Sequence, residues 1–144
     1  MVARLLIGAS LMASCVVVHA VGLASAMRML RGSSFLRPRF WRSTWLFVLV
    51  AVWIVLLHLI EIAIWAVAYV WNGAIAELSS AAYFSAVTYT TTGYGDVVLP
   101  LPWRIDGAVE ALTGILMCGW STGFFFAIVN RIYDPSSQPA ERTS

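Results

Sequence analysis

Seven consecutive residues, Thr90-Thr91-Thr92-Gly93-Tyr94-Gly95-Asp96, combine hydroxyls, glycines and a carboxylate between two long apolar runs. The chemistry open to them is that of an oxygen ladder. A cation stripped of its water needs rings of replacement oxygens, and backbone carbonyls supply them. Carbonyls face one way residue after residue only where the backbone alternates between ordinary and left-handed conformations. Gly93 and Gly95 reach the left-handed ones without steric cost. The Thr91 hydroxyl adds an oxygen at the inner end, and the Tyr94 ring, turned away from the ion path, would pack behind the ladder and hold its width.

Other groups capable of chemistry lie inside apolar segments. His58 and Glu61 are three apart on one helix and can touch; ionisable groups inside a membrane are costly and are usually paired or functional. They read as a structural pair or as a group titrating near neutrality. A metal centre is disfavoured, because one His and one carboxylate offer too few ligands. His19 stands alone in its segment and reads as a buried donor satisfied by a neighbour. Asp106 and Glu110 share a helix face. Glu110 either supports the back of the oxygen ladder or is an interface carboxylate facing water or Arg104. The first apolar run carries no arginine ladder, so voltage sensing by that route is excluded. Cys15 and Cys118 both fall in apolar runs and read as inert thiols, not as a disulfide. No Gly-x-Ser-x-Gly, Walker loop or metal-ligand cluster is present, so the chain reads as neither an enzyme nor a nucleic-acid binder, and no cofactor is expected.

The elements that position these residues follow from composition. The chain is 60% hydrophobic and 11% charged, against about 25% charged in a soluble domain. Three apolar runs, at about residues 5–26, 45–70 and 105–132, reach the length of about 20 residues that spans a bilayer. The expected fold is an all-α membrane protein: an N-terminal transmembrane helix within 1–27, a basic loop at 28–44, and a second unit at 45–132. That unit divides into an outer helix 45–71, a short helix 76–90, the oxygen-rich loop 91–96 and an inner helix 104–132. Residues 133–144 read as a disordered polar tail, too short for a sensing domain. The short helix cannot span and is expected to re-enter the membrane, which is tolerated where it lines an aqueous path. Arg28, Arg31, Arg37, Arg39 and Arg42 occupy the basic loop with no acidic residue, which puts that loop in the cytoplasm. The N-terminus then lies outside and the C-terminus in the cytoplasm. A second reading treats the first run as a signal peptide ending near Ala24-Ser25-Ala26. Asn72-Gly73 is suited to a left-handed helix cap, and the Leu-Pro-Leu-Pro run at 99–102 to an extended link.

Residues 83–96, Tyr-Phe-Ser-Ala-Val-Thr-Tyr-Thr-Thr-Thr-Gly-Tyr-Gly-Asp, are similar to the pore loop of prokaryotic two-transmembrane potassium channels. The resemblance covers 45–132 and leaves the first helix outside. It implies a K⁺-selective channel in the bacterial inner membrane, with K⁺ as permeant ion. Since each chain has one such loop and a pore needs four, it also implies a homotetramer. The carbonyls of Thr91, Thr92, Gly93 and Tyr94 would hold K⁺, with Gly95 completing the ladder and Asp96 at the outer mouth. Tyr83 and Phe84 would brace it as part of an aromatic cuff. Gly114 or Gly119 would be the hinge of the inner helix, Ile115, Cys118 and Thr122 would line the cavity, and Phe125, Phe126 or Val129 would narrow the inner mouth. Two positions depart from the family pattern: Thr92 stands where Val is frequent, and Val87 where some members carry a Glu. The basic loop is a candidate site for anionic lipid. The alternatives are a weakly selective cation channel and a non-conducting regulatory subunit.

Overall fold

The computed structural model of the chain describes residues 2–31 and 40–133. Four α-helices follow in order: α1 Val2–Arg31, α2 Phe40–Trp71, α3 Leu78–Tyr89 and α4 Arg104–Tyr133. No strand occurs among the described residues. The segments Val2–Leu30, Trp41–Trp71 and Leu101–Tyr133 are long and apolar enough to cross a membrane. At 1.5 Å per residue α1 is about 45 Å long, more than the hydrocarbon core of about 30 Å requires.

The helix limits differ from the sequence expectation in instructive places. α1 runs past residue 27 because nothing in Met27-Arg28-Met29-Leu30 interrupts a helix, so Arg28 and Arg31 belong to α1. α2 begins at Phe40 and takes in Arg42; Arg37, Arg39 and the tail at 134–144 lie outside the described residues. α3 starts at Leu78, after an extended Glu77 that receives hydroxyl hydrogen bonds from Ser79 and Ser80 (3.1 Å). The Leu-Pro-Leu-Pro run is extended only at its start. Leu101–Trp103 forms a 3₁₀ turn, with Pro102 in a position that needs no backbone donor. Gly73, at φ +73°, closes α2 in the left-handed conformation, and the Gly73 and Ala74 N–H groups donate to Val70 and Tyr69.

The side-chain contacts fix the helix directions. From α1, Arg4 lies over Trp103, the residue just before α4, and Gly8 and His19 meet Val109 and Ser121 of α4. The two numbers rise together, so these helices are parallel. Against α2 the order reverses: His19 meets Glu61, and Gly22 meets Leu57 and receives the Trp53 indole N–H on its carbonyl. Lipid tails give no hydrophobic drive for helices to associate, so small residues and interhelical hydrogen bonds carry the packing. Gly22 illustrates the first: a Cβ there would lie 2.3 Å from Leu57 Cδ2.

α3 is too short to span. Its last residue, Tyr89, meets α2 at His58 and Glu61 and α4 at Gly114, near the middle of both spans. From there the chain turns back, and Leu99 packs beside Gly107 near the start of α4. α3 and the following loop therefore enter and leave by one face.

The parallel arrangement predicts sidedness. In a Cys118→Ser background, Ala3→Cys and Leu101→Cys should react with an impermeant maleimide from one side of sealed vesicles, and Met29→Cys only from the other. Labelling of Ala3→Cys and Leu101→Cys from opposite sides would contradict the arrangement.

Candidate functional site

The oxygen-rich loop grows directly out of the end of α3. The Thr90 and Thr91 N–H groups donate to Ala86 and Thr88, and those of Thr92 and Gly93 both donate to the Val87 carbonyl at 2.9 and 3.2 Å. The loop's first donors are thus consumed by α3. Positive φ recurs at alternate residues: Thr91 (59°), Gly93 (57°) and Gly95 (77°). The two glycines are those expected. Thr91 is not, because a β-branched residue at positive φ is strained, and such strain collects at functional positions held by their surroundings. The Thr92 hydroxyl lies 2.9 Å from that of Thr90, which in turn donates to Ala86 at 2.7 Å. Thr92, in place of the frequent Val, therefore has a partner. Residues 91–96 are all exposed in the single chain, with Tyr94 at 72%, so the described residues leave most of that side chain uncovered.

The far end of the loop is tied back to α3. Tyr83 donates from its hydroxyl to Asp96 Oδ2 at 2.6 Å, and the Val97 N–H donates to Oδ1 at 3.1 Å. The Tyr83 bond holds the Asp96 carboxyl below the usual carboxylate range and pushes the Tyr83 phenol up. Phe84 faces inward, edge-on to Tyr69 with ring centres 5.4 Å apart.

Glu110 is fully buried and joins three helices. Tyr69 of α2 donates to its Oε2 at 2.7 Å and Ser85 of α3 to its Oε1. Ser85 also reaches the Ile62 carbonyl at 2.8 Å. Arg104 points elsewhere, with its Nε 3.3 Å from the Leu99 carbonyl, so the reading of Glu110 as a water- or Arg104-facing carboxylate is set aside. Asp106, on the same face, is also buried, and neither of its oxygens has a hydrogen-bond partner.

The His58–Glu61 pair forms, with Nδ1 of His58 3.3 Å from Glu61 Oε2, but it is half of a larger cluster. His19 of α1 sits 2.8 Å from Glu61 Oε1 through Nδ1, and Tyr89 donates to Oε2. Ser121 Oγ of α4 lies 3.1 Å from Nε2 of both histidines. The sequence signal was available: His19 and Glu61 lie at similar depths on neighbouring, oppositely directed runs. Ser121 and Tyr89 gave none.

On α4 the proposed hinge glycines differ in surroundings. A Cβ at Gly114 would stand 1.9 Å from the Tyr89 carbonyl oxygen, so Gly114 lets α4 touch the end of α3. Nothing lies within 4 Å of a Cβ at Gly119 or Gly123. Ile115, Cys118 and Thr122 share an exposed strip, Phe126 is 64% exposed, and the Phe125 ring lies tilted against Phe47 with centres 5.7 Å apart.

Comparison with known proteins gives one result of substance: a family model described as an ion channel matches residues 43–131. No curated protein and no solved structure matches the chain.

Gly114→Ala should cost about 3 kcal/mol or more, the upper range for overpacking, because backbone cannot yield as a side chain does. Melting in detergent should show a much larger loss for Gly114→Ala than for Gly119→Ala. Equal losses would mean that α4 does not need its close approach to Tyr89.

Proposed function

Because the chain belongs to this family of two-transmembrane, pore-type ion channels through residues 43–131, we propose that it is a K⁺-selective channel whose ion path is the 91–96 loop. The observation that carries the reading is the alternation of positive φ at Thr91, Gly93 and Gly95, in a loop that starts at mid-membrane depth. In a homotetramer, four copies would present the carbonyls of Thr91, Thr92, Gly93 and Tyr94 to one axis, where they replace the water shell of K⁺. The Thr91 hydroxyl closes the inner end, and four Asp96 carboxylates draw cations to the outer mouth. Tyr94, bare in one chain, is covered by the neighbouring subunit. α3 aims its C-terminus, with its partial negative charge, at the central cavity and favours a cation there.

Below the loop, the exposed strip of Ile115, Cys118 and Thr122 lines the cavity, and Phe126 narrows its inner end. Gly114 is committed to packing on Tyr89, which leaves Gly119 as the hinge. The N-terminus lies outside and the C-terminus in the cytoplasm, placing Arg28, Arg31 and Arg42 at the inner face of a bacterial inner membrane, within reach of anionic lipid. The seating of His19 on Glu61 and of Leu57 on Gly22 supports α1 as a resident helix, not a cleaved leader. The protein is a conduit and not an enzyme.

Flux through the purified protein in liposomes, with K⁺ on one side and Na⁺ on the other, tests this. The expected reversal potential is near the K⁺ equilibrium value. Current reversing near zero would replace the reading with a weakly selective cation channel, and absence of current with a regulatory subunit.

A further inference from the structure

The cluster at His19, His58, Glu61 and Tyr89 has the composition and geometry of a metal centre, and we propose that it binds one zinc-class divalent transition-metal ion per chain. The proposal is independent of what the 91–96 loop conducts. Taken from sequence, the His58–Glu61 pair has too few ligands. Folding adds His19 from α1, and the donor atoms of His19, His58 and Glu61 all fall within 4.8 Å of one another. Tyr89 adds a fourth, its oxygen 3.0 Å from His58 Nδ1 and hydrogen-bonded to Glu61. Around a tetrahedral zinc, with Zn–N near 2.0–2.1 Å, donor atoms stand roughly 3.3 Å apart. His19 Nδ1 stands 2.8 Å from Glu61 Oε1 and His58 Nδ1 3.3 Å from Oε2, so the two imidazoles face the two oxygens of one carboxylate. Two imidazoles with two oxygens select zinc and its neighbours over Mg²⁺ and Ca²⁺, which take oxygen ligands.

The second observation is the orientation of the rings. Both histidines turn Nδ1 toward the one carboxylate and Nε2 toward one hydroxyl, Ser121 Oγ, at 3.1 Å each. A metal-ligating His donates its other ring N–H to an outer partner that fixes tautomer and orientation. Ser121 has two lone pairs for two such donors. Its own hydrogen can turn to a carbonyl one turn back in its helix, as those of Ser14, Thr113 and Thr122 do.

A divalent ion held by these groups would lie against the Glu61 carboxylate, so its charge would have a counter-charge in contact with it in the membrane interior, where an unpaired one is costly. An approach exists: 17% of the His58 side chain remains accessible, and Ser121 forms part of the wall of the cleft between α2 and α4.

The test uses the full chain without a histidine tag, stripped with chelator and titrated in detergent. With Co²⁺ it should show the visible bands of tetrahedral cobalt, saturating at one ion per chain. Calorimetry with Zn²⁺ should give the same stoichiometry of one ion per chain. Glu61→Gln and His19→Gln should weaken binding more than a hundredfold. Ser121→Ala, which removes only the outer partner, should weaken it about ten- to a hundredfold. Should His19→Gln fail to fold, His58→Gln carries the same expectation. Absence of tetrahedral bands in the unmodified chain, or unchanged affinity in the folded histidine variants, overturns the proposal.

Discussion

Two carboxyl groups without access to water, Glu61 and Glu110, are the constraint on which the arrangement of the helices depends. A membrane interior offers such groups no solvent, so each must find its partners within the protein. Glu61, on α2, collects His19 from α1 and Tyr89 from α3. Glu110, on α4, collects Tyr69 from α2 and Ser85 from α3. α3 supplies a partner to both. It cannot span, and it is held near its middle by one carboxyl and at its end by the other. Because apolar contact has no driving force in lipid, these bonds and the glycine contacts at Gly8, Gly22 and Gly114 are what distinguish this packing from any other.

Once α3 is fixed, little freedom remains to the loop that follows. Its first four N–H groups point back into α3, the Thr90 and Thr92 hydroxyls pair, and Tyr83 holds Asp96 at the far end. A short loop pinned at both ends can keep a strained Thr91 at positive φ. The same clamping gives a reason for the departure at Val87. Where some relatives of this pattern place a carboxylate on the short helix, this chain brings carboxylates to that helix from α2 and α4. α1 contributes through the contacts of His19 with Glu61 and Ser121 and those of Gly8 and Gly22, so it is built into the unit and not appended to it.

The three apolar spans, the non-spanning α3 and the oxygen-rich loop were legible because each is a local property of sequence: run length, charge, glycine spacing. The cap at Gly73 was legible for the same reason. What escaped were relations between helices. The rotation of a helix about its axis decides which residues meet, and helices apolar on nearly every side carry no stripe from which to read it. Hence His19 looked solitary, Tyr89 and Ser121 gave no signal, and Glu110 was left with two readings. The Thr91 conformation escaped for a different reason, since its side chain argues against the left-handed region that the flanking bonds enforce.

The most direct measurement of the central claim is a comparison of two substitutions at Glu110 by melting in detergent, with K⁺/Na⁺ selectivity read on the same preparations. Glu110→Gln can accept from Tyr69 and donate to Ser85, which then donates to Ile62, so it should stay near the parent in both. Glu110→Leu leaves the Tyr69 hydroxyl without its acceptor, at about 1–3 kcal/mol for a buried group left unsatisfied, and cuts the tie from α4 to Ser85, which keeps only Ile62, so it should lower stability and selectivity together. A Glu110→Leu protein that melts and selects like the parent would contradict the claim that buried carboxyls hold α3 in place.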